Sequence, residues 1–191
     1  MNENIESKNF DLQPYLFDDL IEMLPLKEND FDELFKAAAD PLLWEQHPNK
    51  DRYKEEVFRN FFKGAMESGG AFIVKDKKTM KVIGSSRYYD YNKEENSVSV
   101  GYTFISRDCW GKSFNPKMKK LMLDHAFEFV DKVYFHIGKD NIRSQKAIIK
   151  TGAVKVDEID MRYFGEEVHR NFIYLMEKDV WGKISNYKLL I

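Results

Sequence analysis

A short loop, Cys109-Trp110-Gly111-Lys112-Ser113-Phe114-Asn115, leads into Pro116. Asparagine is a favoured helix cap and proline suits the first position of a helix, so Asn115-Pro116 predicts a helix start. The first turn of a helix presents N–H groups that have no partner within the helix. It also carries the positive end of the helix dipole, and both favour an anion. One glycine, one lysine and small polar side chains accompany them here. A diphosphate fits that chemistry. Many helices start after such a loop, so the loop alone names no ligand.

A second group follows about 25 residues later in the chain. Asp140-Asn141 is a helix cap, and Ser144 lies in the first turn. Its ordinary reading is a helix-surface serine. His125 falls on an apolar helical stripe and reads as structural. His136 shares a strand face with Tyr134; it reads as structural too, although that face could approach an acceptor. Cys109 borders the loop, and Trp110 reads as a seal between loop and core. The stretch 44–53 (WEQHPNKDRY) mixes polar and aromatic groups. That mix would suit an amine or peptide, and equally a solvated loop.

The elements that must position these residues are legible from periodicity. Residues 21–26 predict a first strand, and Asn29-Asp30 caps a helix carrying Phe31, Leu34, Phe35 and Ala38. Two prolines make 41–49 a loop. Residues 51–67 predict a second helix, broken at Ser68-Gly69-Gly70. Three strands follow at 71–75, 81–89 and 97–106, joined by polar turns as an antiparallel meander. After the Asn115 helix comes a strand at 133–137, the Asn141 helix ended by Gly152, and strands at 154–164 and 168–177 turning at Gly165-Glu166. A strand–helix–strand unit implies a parallel pair with a right-handed crossover. The Asn115 helix therefore begins beyond the C-terminal end of one strand of that pair. The expected fold is α/β: a mixed, strongly twisted sheet of about six or seven strands with helices on both faces. Residues 1–20 read as an N-terminal extension and 21–191 as one domain.

Composition narrows the function classes. The chain has 191 residues, 43% hydrophobic and 15% aromatic, enough for a packed core. Thirty Lys and Arg against 32 Asp and Glu give a net charge of −2, without the basic excess of a nucleic-acid binder. One cysteine allows no internal disulfide, and no window approaches a membrane span. These point to a soluble cytoplasmic protein.

Gly101-Tyr102-Thr103-Phe104, then Trp110-Gly111-Lys112-Ser113-Phe114-Asn115, then LMLDHAF at 121–127, together resemble the acyl-CoA-binding segment of GNAT acetyltransferases. The similarity is nearest to the branch that holds the ribosomal-protein N-terminal acetyltransferases and their small-molecule relatives. Asn141-Ile142-Arg143-Ser144 through Gly152-Ala153 resembles that branch's Asn-x-x-Ser helix. Order and spacing match, and the resemblance spans residues 24–181. It implies that acetyl-CoA is the cosubstrate and lies where the two parallel strands splay. Phe104 and Ile105 would pair with the pantetheine through their main chain, and Trp110, Gly111, Lys112, Ser113 and Asn115 would surround the diphosphate. Asn141 would reach the pantetheine and Ser144 the sulfur. An amine, on a small molecule or a protein N-terminus, would attack the thioester directly, with no metal and no covalent enzyme intermediate. A homodimer through the C-terminal strands is also implied.

The chain departs from the family pattern in places. Trp110, Ser113 and Asn115 stand where Gln or Arg, Gly, and Gly or Ala are usual. Ile148 holds the place of a tyrosine acid, and Ser99 that of a glutamate. Tyr102 is left as a candidate catalytic group beside Ser144. The vacant positions also suit a silent acyl-CoA-binding or regulatory module.

Overall fold

The computed structural model describes residues 9–162 and 166–188, with side chains up to residue 185. Eight strands make one sheet: β1 (Leu16–Phe17), β2 (Ile21–Pro25), β3 (Ala71–Asp76), β4 (Val82–Asn92), β5 (Ser97–Ile105), β6 (Lys132–Gly138), β7 (Val154–Arg162) and β8 (Val168–Glu177). The spatial order is β1-β2-β3-β4-β5-β6-β8-β7, and β5/β6 is the one parallel pair among the described residues. The helices are α1 (Phe31–Ala38), α2 (Glu55–Glu67), α3 (Phe114–Ala126), α4 (Ile142–Ile149) and α5 (Lys178–Lys188).

Alternation along the strands builds two apolar layers. Val98 and Val100 of β5 and Val133 and Phe135 of β6 face Met118, Met122, Leu123 and Ala126 of α3. Ile148 of α4 and Trp181 of α5 join that layer. On the other face Ile73 and Phe104 pack under Leu34 of α1 and Phe58, Phe61 and Phe62 of α2. The expected helices on both faces are present. Tyr88, fully buried, ties sheet to helix by donating its hydroxyl to the Met122 carbonyl at 2.5 Å.

The structure adds to the sequence reading at the ends. Leu16–Phe17, within the segment read as an extension, pairs with β2, and Phe10, Leu12 and Leu16 pack on the core. A two-residue strand has no periodicity to reveal it, so the sheet has eight strands where six or seven were expected. Helix α5 was not predicted. Of the expected turn at Gly165-Glu166, Gly165 lies outside the described residues. No helix among the described residues is long and apolar enough to cross a membrane.

Candidate active site

Strands β5 and β6 pair over three positions only: Ser97 with Lys132, Val98 with Val133, Ser99 with Tyr134. Beyond Ser99 they part. The cause lies on the other side of β5. Ser85 pairs with Phe104 and Arg87 with Gly101, so Ser86 of β4 faces both Tyr102 and Thr103. This is a β-bulge, and bulges bend a strand and sharpen its twist. Tyr102 takes φ +52°, a left-handed conformation that costs a non-glycine residue about 1–3 kcal/mol. Its ring lies under the Arg87 guanidinium at 3.8 Å, and Arg87 donates to the α2 carbonyls of Gly64 (2.9 Å) and Phe61 (3.4 Å).

The mouth of the splay is the N-terminus of α3. The helix starts two residues earlier than expected: Ser113 is the cap residue, with no side-chain capping bond, and Pro116 is the third helical residue. Asn115 is therefore not the cap. Pro116 fits because the first-turn N–H groups have no helical partner in any case. Gly111 provides the turn with φ +72°, and Gly111, Lys112 and Ser113 are exposed. Trp110 is half-buried, and its indole donates to the Ile105 carbonyl at 2.9 Å. Arg143 of α4 stacks on it at 3.9 Å, so one aromatic ring joins both lips of the splay. Phe104 and Ile105 are buried at the end of β5. On the opposite lip, Asn141 Oδ1 accepts the Ser144 amide at 3.1 Å, a cap worth about 1 kcal/mol. The loop, the end of β5 and the start of α4 thus come together around Trp110.

Against these coordinates stand the known proteins. A sequence profile described as an acetyltransferase (GNAT) domain matches residues 21–154. The chain belongs to the GNAT acetyltransferase family. No curated protein matches it. Among solved structures, a probable GNAT acetyltransferase from Chromobacterium violaceum has a TM-score of 0.80 at 15% identity, covering 95% of each chain. Spermidine N-acetyltransferase from Vibrio cholerae, solved with CoA and spermine, has a TM-score of 0.65 at 13% identity, covering 86% of this chain and 99% of its own. Mycobacterium smegmatis RimJ, solved with CoA-disulfide, has a TM-score of 0.68 at 10% identity, covering 92% and 93%.

The GNAT chain presents a second concavity on the sheet face away from α3. A cavity of about 660 Å³ is walled by Ser99 of β5, Tyr134 and His136 of β6 and Ile173 of β8. Asp90, Glu94 and Glu95 on its rim outnumber Lys93. His136 Nδ1 meets the Tyr89 hydroxyl at 2.8 Å, and the Tyr89 and Tyr102 rings stand edge to face at 5.2 Å. Burial lowers the His136 pKa, partly offset by Asp90, so its ring is neutral at neutral pH. Burial holds the Tyr102 phenol protonated, against the pull of Arg87 and Arg52. The sequence reading put His136 on one strand face with Tyr134, as structural or as an approach to an acceptor; both line this cavity, alternating with buried Val133 and Phe135. His125, by contrast, is structural, with Nε2 at 2.8 Å from the Asp11 carbonyl. Cys109 is buried, which pushes its thiol up to about 11, no state for a nucleophile. Ile148 of α4 is a core residue, so it lines neither concavity.

The loop 44–53 is built rather than solvated. Its His47 Nε2 accepts from Arg52 at 3.2 Å. Burial first, then the Arg52 charge, hold His47 well below its ordinary 6.5. At pH just under 6.5 the folded chain therefore binds fewer protons on His47 and His136 than the unfolded chain does. Stability should fall as pH drops through that range, and His47→Gln should flatten the slope. Urea titrations from neutral pH to about 5 read this directly; equal slopes in both proteins would refute it.

Proposed function

We propose that the enzyme moves an acetyl group from acetyl-CoA to a primary amine, on a small molecule or a protein N-terminus, by direct attack. The supporting observation is the splay of β5 and β6 with the free N-terminus of α3 at its mouth. The residues present fit the cosubstrate. The first-turn N–H groups of α3 and the exposed Lys112 would receive the diphosphate. The β5 main chain around Phe104 and Ile105 would bond the pantetheine as an added strand, and the side-chain amide of Asn141 has donors left for it. Acetyl-CoA, when bound, supplies the activated acyl group. The acceptor would enter by the cavity at Ser99, whose acidic rim suits an ammonium. His136 is the basic group on that side. Tyr102 and Ser144 would serve as hydrogen-bond donors towards the reacting atoms. A cytoplasmic, homodimeric enzyme is part of this reading.

The filled Ile148 position and Ser99 favour a second reading, a silent acyl-CoA-binding module. Melting temperature with acetyl-CoA and with free adenine nucleotides, then thiol release across a panel of polyamines and short peptides, separates the two. Saturating acetyl-CoA should raise the melting temperature by mass action, and one class of amine should release thiol. No shift would end both readings. A shift with no release would leave the silent module.

A further inference from the structure

Lys119 of α3 occupies a place made for an apolar side chain. Met122, Leu123 and Ala126, three, four and seven residues on, share its helix face and are fully buried. Lys119 is itself only 9% exposed. Its Nζ bonds Thr103 Oγ1 at 2.8 Å and lies 5.6 Å from the centre of the Phe135 ring. Thr103 belongs to the bulge of β5, and Phe135 is the first residue of β6 beyond its last pair with β5. The amine therefore stands between the two strands where they part. Thr103 Oγ1 also meets Ser86 Oγ of β4 at 2.7 Å. The lysine thus meets a hydroxyl of β5, itself bonded to one of β4, and a ring of β6. Among the described residues no carboxylate offsets its burial, which alone lowers its pKa to about 7.

Such a burial is costly, and a methionine at 119 would fill the same volume without it. An ammonium has three donors, and Thr103 takes one. The remaining donors and the charge stand on the α3 side of the splay, beside the bulge, and the acidic cavity lies on the opposite face of the sheet.

We propose that Lys119 is the proton donor to the sulfur that leaves the acyl group. This rests on the acyltransferase reading above. The acceptor nitrogen bonds to the acyl carbon, and the carbon–sulfur bond breaks with its electron pair on sulfur. Lys119 Nζ passes a proton to that sulfur. The surplus proton of the acceptor nitrogen leaves by His136 to solvent, and solvent returns one to Lys119. The products are an amide and a free thiol. A donor whose pKa lies near the working pH is well matched to that task. It also supplies an acid in a chain where the tyrosine position holds Ile148.

The test needs no acceptor. Free CoA is the probe, and the ultraviolet absorbance of its thiolate is followed against pH while bound to wild type, Lys119→Met and Lys119→Gln. In wild type the bound thiol should ionise at least about tenfold more readily, a shift of about one pKa unit, than in either variant. CoA bound by all three with the same thiol ionisation overturns the proposal and leaves the acyltransferase reading standing. CoA that fails to bind wild type overturns both. Melting gives an independent readout. Folded Lys119 binds fewer protons than unfolded between about 7 and the ordinary 10.5, so wild type alone should gain stability as pH rises through that window. Both variants should melt above wild type at neutral pH. Variants that melt lower would show that the lysine serves the fold, against the proposal.

Discussion

Arg52→Met is expected to cost the fold about 3–5 kcal/mol, the range for removing one partner of a buried ion pair. Arg52 is 2% exposed and the Glu166 side chain 7%. Arg52 Nε and Nη2 both donate to Glu166 Oε1, at 2.8 and 2.5 Å. The guanidinium also lies over Phe61 at 4.9 Å and Trp44 at 5.5 Å. Methionine keeps most of the volume and strands a carboxylate whose second oxygen, Oε2, is buried with no hydrogen-bond partner among the described residues. The pair joins the loop before α2 to the approach to β8, across 114 residues of sequence. The measurement is urea unfolding of Arg52→Met, Glu166→Gln and the double variant. The double variant should recover most of the loss, because no lone charge is then left buried. A single variant within about 0.5 kcal/mol of wild type would mean that the pair is solvated.

Ser113→Asp should separate binding from stability. Aspartate is a favoured cap residue, and Ser113 makes no capping bond to lose, so the fold should hold. The new carboxylate would stand at the start of α3, where a diphosphate is proposed. Like charges near 4 Å repel by about 1 kcal/mol in water and about 4 kcal/mol near a protein surface. A mid-range penalty of about 2.7 kcal/mol is about a hundredfold in affinity. Isothermal titration with CoA reads it. Unchanged affinity would remove the diphosphate from this loop. Gly111→Asp is a poorer probe, because φ +72° strains any side chain there whatever its charge.

What was legible in the sequence was what local chemistry determines. Alternation gave β5 to within one residue of its observed end, and Asn141 and Gly152 framed α4 because a cap and a left-handed glycine, here at φ +99°, are local requirements. The parallel pair followed from element order. The start of α3 was misplaced because Asn115-Pro116 carries two start signals while the helix begins at Phe114, under a serine that caps nothing. The bulge left no trace, since nothing in Gly101-Tyr102-Thr103 marks the tyrosine as the left-handed residue. Lys119 left one that was passed over: a charge in register with Met122, Leu123 and Ala126. The partnership of Arg52 with Glu166 has no local signal at all.

The three-position pairing of β5 with β6 has a consequence for solvent. Past Ser99 and Tyr134 the facing edges of the two strands have no ladder between them. Amide deuterium uptake should therefore differ within single strands. The outer edges of β5 and β6 are held by β4 and β8. The inner edges at residues 101–105 and 135–138 should exchange quickly in the free protein, at a free energy far below that of global opening. The meander β2–β3–β4 should exchange only with global opening, so slow and fast amides would lie one strand apart, inside an otherwise continuous sheet.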